Sequence, residues 1–111
     1  MELKVCVAGA TGWVGRPLSV AISESDDLNL VGAVSRDARG RQLNTILPEA
    51  NVDLTISGSV AEALETPTDV LVDYTKADAV RANVLTAIRK GVHVVIGASG
   101  LTDDDYAEID Q

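Results

Sequence analysis

The chain is expected to fold as an α/β domain, a doubly wound parallel sheet between two layers of helices. Three observations point there. Short apolar runs alternate with helical patterns, as strand–helix–strand and then strand–helix–strand–helix–strand. The first run, Lys4 to Ala8, leads directly into Gly9-Ala10-Thr11-Gly12-Trp13-Val14-Gly15, a glycine-rich turn that opens a helix. Aromatic residues make up only 3% of the 111, with no Phe, so the core must come from Val, Leu, Ile and Ala. Those are the residues of a parallel sheet buried on both faces.

Each element follows from a local pattern. Lys4 to Ala8 is a strand, and Val14 to about Glu24 a helix in which Pro17 is tolerated because it lies in the first turn. Leu28 to Val34 is the second strand. Ser35 to about Asn51 carries Arg, Gly and Pro without periodicity and reads as a loop with one short helix. Leu54 to Ser57 is expected to be a short strand. Ser59-Val60-Ala61-Glu62 fits a capping box and predicts a brief helix to about Glu65. Val70 to Asp73 is a strand, and Ala77 to Lys90 a longer helix with Val80, Val84, Leu85 and Ile88 at helical spacing. Gly91 stops that helix at its C′ position. His93 to Ile96 is the last strand, followed by the turn Gly97-Ala98-Ser99-Gly100. Thr102-Asp103-Asp104-Asp105 caps a final helix in which the sequence ends, as expected of part of a longer protein. Residues 1–111 then form one domain with one core.

The glycine-rich turn carries the clearest chemistry. Its Gly-x-x-Gly-x-x-Gly spacing sits between a strand and a helix, the setting of a Rossmann-like dinucleotide site. Gly9 permits the tight turn, Gly12 lets the backbone approach a pyrophosphate, and Gly15 lets the helix pack closely on the sheet. Free amides at the helix start face the phosphates. The end of the second strand selects the cofactor form. An acidic residue there would hold the ribose 2′-hydroxyl of NAD, whereas here Ser35-Arg36 offers a hydroxyl and a guanidinium to the 2′-phosphate of NADP. NADPH is therefore the expected cofactor, with NADH possible, and Arg39 and Arg41 lie close enough to assist. The other strand ends, Asp73-Tyr74-Thr75 and Gly97-Ala98-Ser99-Gly100, are expected to line the same crevice.

Ala8-Gly9-Ala10-Thr11-Gly12, Val72-Asp73-Tyr74-Thr75 and Val94 to Thr102 together resemble 4-hydroxy-tetrahydrodipicolinate reductase (dihydrodipicolinate reductase) over essentially the whole chain. The family pattern is Gly-Ala-x-Gly-Arg-Met-Gly, then Asp-Phe-Thr, then Gly-Thr-Thr-Gly. The resemblance implies an N-terminal nucleotide-binding domain of an oxidoreductase in the diaminopimelate route to lysine, reducing 4-hydroxy-tetrahydrodipicolinate to tetrahydrodipicolinate. It implies that Gly12, Trp13 and Val14 hold pyrophosphate and that Tyr74 and Thr75 lie along the cofactor. The Gly97–Gly100 loop would receive the nicotinamide carboxamide, and Ser99 would bond a substrate carboxylate. Trp13 stands where the family places Arg, and its indole could cover the cofactor while Lys76 supplies some of the missing positive charge. Ala98 and Ser99 replace two Thr, and Tyr74 replaces Phe. The family's catalytic His-His…Lys and its Pro-Ser-Gly-Thr motif have no counterpart here, so no catalytic residue is assigned and the chain alone is expected to be inactive. The family's C-terminal domain also carries its assembly, so the full-length protein is expected to be a homo-oligomer.

Bulk properties bound the alternatives. The net charge is −8, from 9 basic and 17 acidic residues, which disfavours a nucleic-acid partner. A single Cys6 excludes an internal disulfide and suits a reducing compartment. With no signal-peptide pattern and no apolar run of membrane-spanning length, a cytoplasmic protein with a small-molecule substrate is expected. His93 and Cys6 read as structural residues, and Asp103-Asp104-Asp105 as a solvated helix start, so no metal site is assigned. Three other readings share the glycine turn. They are an extended short-chain dehydrogenase, an aspartate-semialdehyde dehydrogenase, and a non-enzymatic NADP-sensing module.

Overall fold

The computed structural model describes residues 3–50, 52–75 and 77–97. The helix expected from Thr102 lies outside them. Four strands form one parallel sheet: β1 (Leu3–Ala8), β2 (Leu28–Val34), β3 (Val70–Asp73) and β4 (His93–Ile96), in the order β2-β1-β3-β4. The chain winds outward from β1 to β2, then crosses β1 to lay down β3 and β4 on its other side. Connections therefore leave β1 and β3 in opposite directions, and a crevice opens at their carboxyl ends.

Side chains of β1 alternate between two cores because successive Cβ atoms point to opposite faces. Val5 and Val7 join a cluster with Ile22, Leu30, Leu43 and Ile56. Cys6 and Ala8 join another with Val60, Ala63, Leu71 and Ala87. The first cluster seats α1 (Gly15–Glu24) and α2 (Leu43–Ile46) on one face. The second seats α3 (Val60–Ala63) and α4 (Ala77–Arg89) on the other, completing a Rossmann-like three-layer fold. Among the described residues, no helix is long and apolar enough to cross a membrane.

The structure departs from the sequence expectation in three places. Residues 54–57 form no strand. Their pairing is divided between an antiparallel bridge, Gln42 to Thr55, and a parallel one, Val34 to Ser57, so neither ladder lengthens. In α4 the buried positions are Val80, Val84 and Ala87, while Ile88 is 48% exposed: the small Ala87, not Ile88, meets the sheet. Ser59 does cap α3, accepting the Glu62 amide at 3.2 Å. The Glu62 carboxylate, however, turns to Arg39 at 3.5 Å and does not complete a capping box.

The start of α1 shows a subtler difference. Its regular span opens at Gly15, yet Arg16 N already donates to Gly12 O at 3.0 Å and Val14 is helical at φ −92°, ψ −36°. Pro17 has no N–H to give Trp13, so one bond is missing and the ladder resumes at Leu18 N to Val14 O, 3.1 Å. Helical backbone thus begins directly after Gly12. At the far end of α4, Gly91 adopts φ +74°, and Val92 N reaches Ala87 O at 2.9 Å in a Schellman closure.

Candidate functional site

A crevice of about 720 Å³ lies at the carboxyl ends of β1, β2 and β3. The β1–α1 turn supplies Gly9, Thr11 and Gly12, and the end of β2 supplies Ser35, Arg36 and Asp37. Tyr74 and Thr75 follow β3, and Ala79, Ala82 and Asn83 face the crevice from α4.

The turn is shaped by two close approaches. Gly9 has φ +81°, and a Cβ there would lie 2.9 Å from the Tyr74 carbonyl oxygen, so both its conformation and its neighbour require glycine. At Gly15 a Cβ would fall on the carbonyl of Gly9 and 3.0 Å from Ala10 Cα. The first turn of α1 therefore rests on the backbone of the loop that precedes it. Gly9 N and Ala10 N both donate to Val34 O, at 3.0 and 3.2 Å, and Gly12 N donates to Gly9 O at 3.0 Å. The amides of Thr11, Trp13 and Val14 donate to no backbone carbonyl among the described residues. Three donors at the positive end of α1 are thus left for another partner.

Two side-chain contacts tie this turn to its surroundings. Thr11 Oγ1 and Ser35 Oγ lie 2.9 Å apart, joining the β1–α1 turn to the end of β2. Arg16 Nε donates to the Thr11 carbonyl at 2.8 Å and brings a cation to the turn, where Trp13 carries none.

At the end of β3, Asp73 is fully buried. Its Oδ1 accepts from Thr75 N at 2.9 Å and Thr75 Oγ1 at 2.6 Å, while Oδ2 has no partner among the described residues. Asn83 Nδ2 reaches Thr75 Oγ1 at 3.4 Å. The Tyr74 ring lies so close over Gly97 that any side chain there would overlap it, and Gly97 N is bonded to Asp73 O at 2.9 Å. Cys6 lies in the core beneath. Burial first, and then the Asp73 carboxylate, pushes its thiol up to about 12, so it stays protonated and is no nucleophile.

Of the residues singled out from the sequence, Gly9, Thr11, Gly12, Ser35, Arg36, Tyr74 and Thr75 share this one crevice. Ala10 does not belong with them: its methyl is fully buried in the core and its amide is committed to Val34. Asp73 also stands behind the wall, since its carboxylate is buried and reaches the crevice only through Thr75. Trp13 is 99% exposed and Val14 49%, and neither side chain lines the crevice; only their amides point to a role there. Gly97 lies under Tyr74, while Lys76, Ala98, Ser99 and Asp103-Asp104-Asp105 lie outside the described residues. Arg39 packs over Gly58 and pairs with Glu62, away from the role of assisting Arg36.

Sequence reasoning passed over Arg16, Asp37, Ala79, Ala82 and Asn83. Arg16 and Asp37 adjoin the motifs and could have been found by proximity. Asn83 could have been found as a polar residue three places from Val80, at the margin of the buried stripe of α4.

Comparison with known proteins follows the same lines. The family model described as dihydrodipicolinate reductase, N-terminus, matches residues 3–111. The 4-hydroxy-tetrahydrodipicolinate reductase of Desulfitobacterium hafniense is 36% identical over 110 residues, covering 97% of this chain and 41% of that protein. That of Syntrophomonas wolfei is 35% identical over 111 residues, covering 99% and 42%. The chain thus spans well under half the length of these curated relatives. Dipicolinate-bound dihydrodipicolinate reductase from Paenisporosarcina sp. TG-14 superposes with a TM-score of 0.77 at 20% identity, covering 98% of this chain and 42% of that one. Aspartate semialdehyde dehydrogenase with NADP from Candida albicans gives 0.71 at 18%, covering 87% and 30%. At such identities the two structures show a shared fold.

Proposed function

The chain belongs to the dihydrodipicolinate reductase family, matching its N-terminal part, and on that footing we propose that it is the cofactor domain of a 4-hydroxy-tetrahydrodipicolinate reductase using NADPH. The observation that carries this reading is the crevice itself. Three amides of the β1–α1 turn that have no partner among the described residues sit beside the linked hydroxyls of Thr11 and Ser35 and the exposed guanidinium of Arg36. That donor set suits two phosphate groups, a pyrophosphate at the start of α1 and a 2′-phosphate at the end of β2. The absence of a Cβ at Gly12 leaves the backbone open to close approach.

A nicotinamide dinucleotide, when bound, would supply the reducing equivalent for the substrate ring. The residues of this chain bind and orient. Thr11, Trp13 and Val14 hold the pyrophosphate through main-chain N–H groups, with Gly12 letting the backbone come close and Arg16 adding positive charge nearby. Ser35 and Arg36 hold the 2′-phosphate. Tyr74, supported by Gly97, and Thr75, held by Asp73, form the wall beyond. The acid–base groups belong, in this reading, to the remainder of the enzyme, which this chain does not cover. Family membership favours this assignment over a short-chain dehydrogenase or a non-enzymatic sensor.

Cofactor form is decided between Arg36 and Asp37, neighbours in the same wall. Arg36 favours a 2′-phosphate, and Asp37 a 2′-hydroxyl. Titrating the protein with NADPH and NADH, followed by nicotinamide fluorescence, separates them. NADPH should bind more tightly, and Arg36→Ala should weaken NADPH about tenfold while leaving NADH nearly unchanged. That fold is a charge-assisted hydrogen bond discounted for the exposure of Arg36, roughly 1.4 kcal/mol. Equal affinities in the native protein, or no effect of Arg36→Ala, would sink the NADPH assignment.

A further inference from the structure

Arg16 grips two consecutive peptide units of the β1–α1 turn. Its backbone N–H donates to Gly12 O at 3.0 Å, and its side-chain Nε donates to Thr11 O at 2.8 Å. Peptide units here are planar and trans, with N–H and C=O pointing opposite ways, so fixing a carbonyl aims the amide of the same unit. The bond to Gly12 O thereby directs the Trp13 N–H away from Arg16. The bond to Thr11 O likewise turns the Gly12 N–H onto Gly9 O, at 3.0 Å. Thr11 N and Trp13 N, which donate to no backbone carbonyl among the described residues, flank the unit that the side chain holds.

The junction needs such a brace. Pro17 has no N–H for Trp13 O, so the first turn of α1 is one bond short beside this loop. The unit held by the side chain ends on Gly12, and glycine offers the least resistance to backbone rotation. Arg16 is itself exposed and pairs with no carboxylate among the described residues, so the Thr11 carbonyl is what orients its guanidinium. Salt screens the attraction of so exposed a cation, whereas the bond still fixes the peptide plane. From these contacts we infer that Arg16 is a positioning residue for the pyrophosphate. It acts through its Nε bond to Thr11, which keeps the free amides of the turn aimed at the ligand, more than through its charge. The inference rests on the dinucleotide reading above and adds to it the group that holds the donors in place. It also explains how the turn functions with Trp13 in it: the side chain that matters is the one that shapes the loop, three residues on.

Two substitutions separate the bond from the charge. Gln carries its Nε2 at the same place along the side chain as the Nε of Arg, so Arg16→Gln keeps the donor and removes the cation. Lys carries carbon at that place and its ammonium one atom further out, so Arg16→Lys keeps the cation and removes the donor. Dissociation constants for NADPH would be measured by calorimetry on the native protein and on Arg16→Gln, Arg16→Lys and Arg16→Ala. Arg16→Ala and Arg16→Lys should each bind about fivefold more weakly, the scale of one hydrogen bond, and Arg16→Gln within about twofold of native. The loss in Arg16→Ala should persist at about 0.5 M salt, where a purely coulombic effect fades. Arg16→Gln as weak as Arg16→Ala, Arg16→Lys as tight as native, or a loss that disappears in salt overturns the inference while leaving dinucleotide binding in place. Failure of the native protein to bind NADPH overturns both.

Discussion

Replacing Gly15 with alanine sets two physical effects against each other, and the structure says which prevails. In an exposed helix Gly→Ala stabilises by up to about 1 kcal/mol through backbone entropy. Here the added methyl would fall on the Gly9 carbonyl, 2.7 Å from its carbon and 3.0 Å from Ala10 Cα. These are backbone atoms, held by the bonds of Gly9 N and Ala10 N to Val34 O, so no flexible side chain can swing aside. Relief requires α1 to lift from the turn, an overpacking cost of about 2–3 kcal/mol. Net destabilisation should thus be about 1–2 kcal/mol. For a domain of this size that lowers the thermal midpoint by roughly 5–15 °C. Urea unfolding followed by circular dichroism would show the midpoint falling with the slope unchanged. The same displacement should weaken NADPH binding, because the free amides of Trp13 and Val14 move with the helix. A midpoint unchanged or raised would mean that the turn yields easily, and the account of Gly15 would be wrong.

Two further outcomes follow from buried groups. Ser19 is fully buried in α1 and its hydroxyl has no hydrogen-bond partner among the described residues, so Ser19→Ala should stabilise by about 1 kcal/mol, read as a higher urea midpoint. A loss of stability would show that the hydroxyl has a partner in solution. Cys6 titrates at about 12 when folded but at its ordinary value, about 8.5, when unfolded. Between those limits the unfolded chain holds fewer protons than the native one, so this group lowers stability as pH rises, by about 1 kcal/mol per pH unit. Below about pH 8 both states are protonated and Cys6 contributes no slope. Cys6→Ala should flatten the alkaline decline of stability between pH 9 and 11, and native Cys6 should resist thiol reagents at pH 8 until the protein unfolds. Rapid labelling of the folded protein would contradict both.

Much of the fold could be read along the chain because its signals are local. Strands β1, β2, β3 and β4 were expected at nearly their observed bounds, since an apolar run closed by a turn is visible in a few residues. Gly91 and Ser59 likewise reveal helix ends through chemistry confined to one turn. Residues 54–57 were misjudged for the opposite reason. Whether an apolar run becomes a strand depends on an available ladder, and here the two partners, Gln42 and Val34, lie 13 and 23 residues back. Ile88 failed similarly: helical spacing marks a stripe, but packing in one cluster with Cys6, Leu71 and Val92 puts the small Ala87 at its centre.

The site divides along the same line. Gly9, Gly12, Ser35, Arg36, Tyr74 and Thr75 announce themselves because each follows a strand, and parallel strands deliver their carboxyl ends to one edge of the sheet. Spacing cannot say which way a group faces. Ala10, inside the motif, is turned into the core, while Trp13 stands clear in solvent and Asp73 lies behind the wall. Nor does spacing disclose that Asn83, eight residues past Thr75, returns to it on the next turns of a helix. The doubly wound order and the glycine turn are written in the sequence, since both depend on short stretches whose chemistry is self-sufficient. The contacts that link buried Asp73 to Thr75 and Thr75 to Asn83 join the end of β3 to α4, and such a chain of contacts exists only once the two elements have packed.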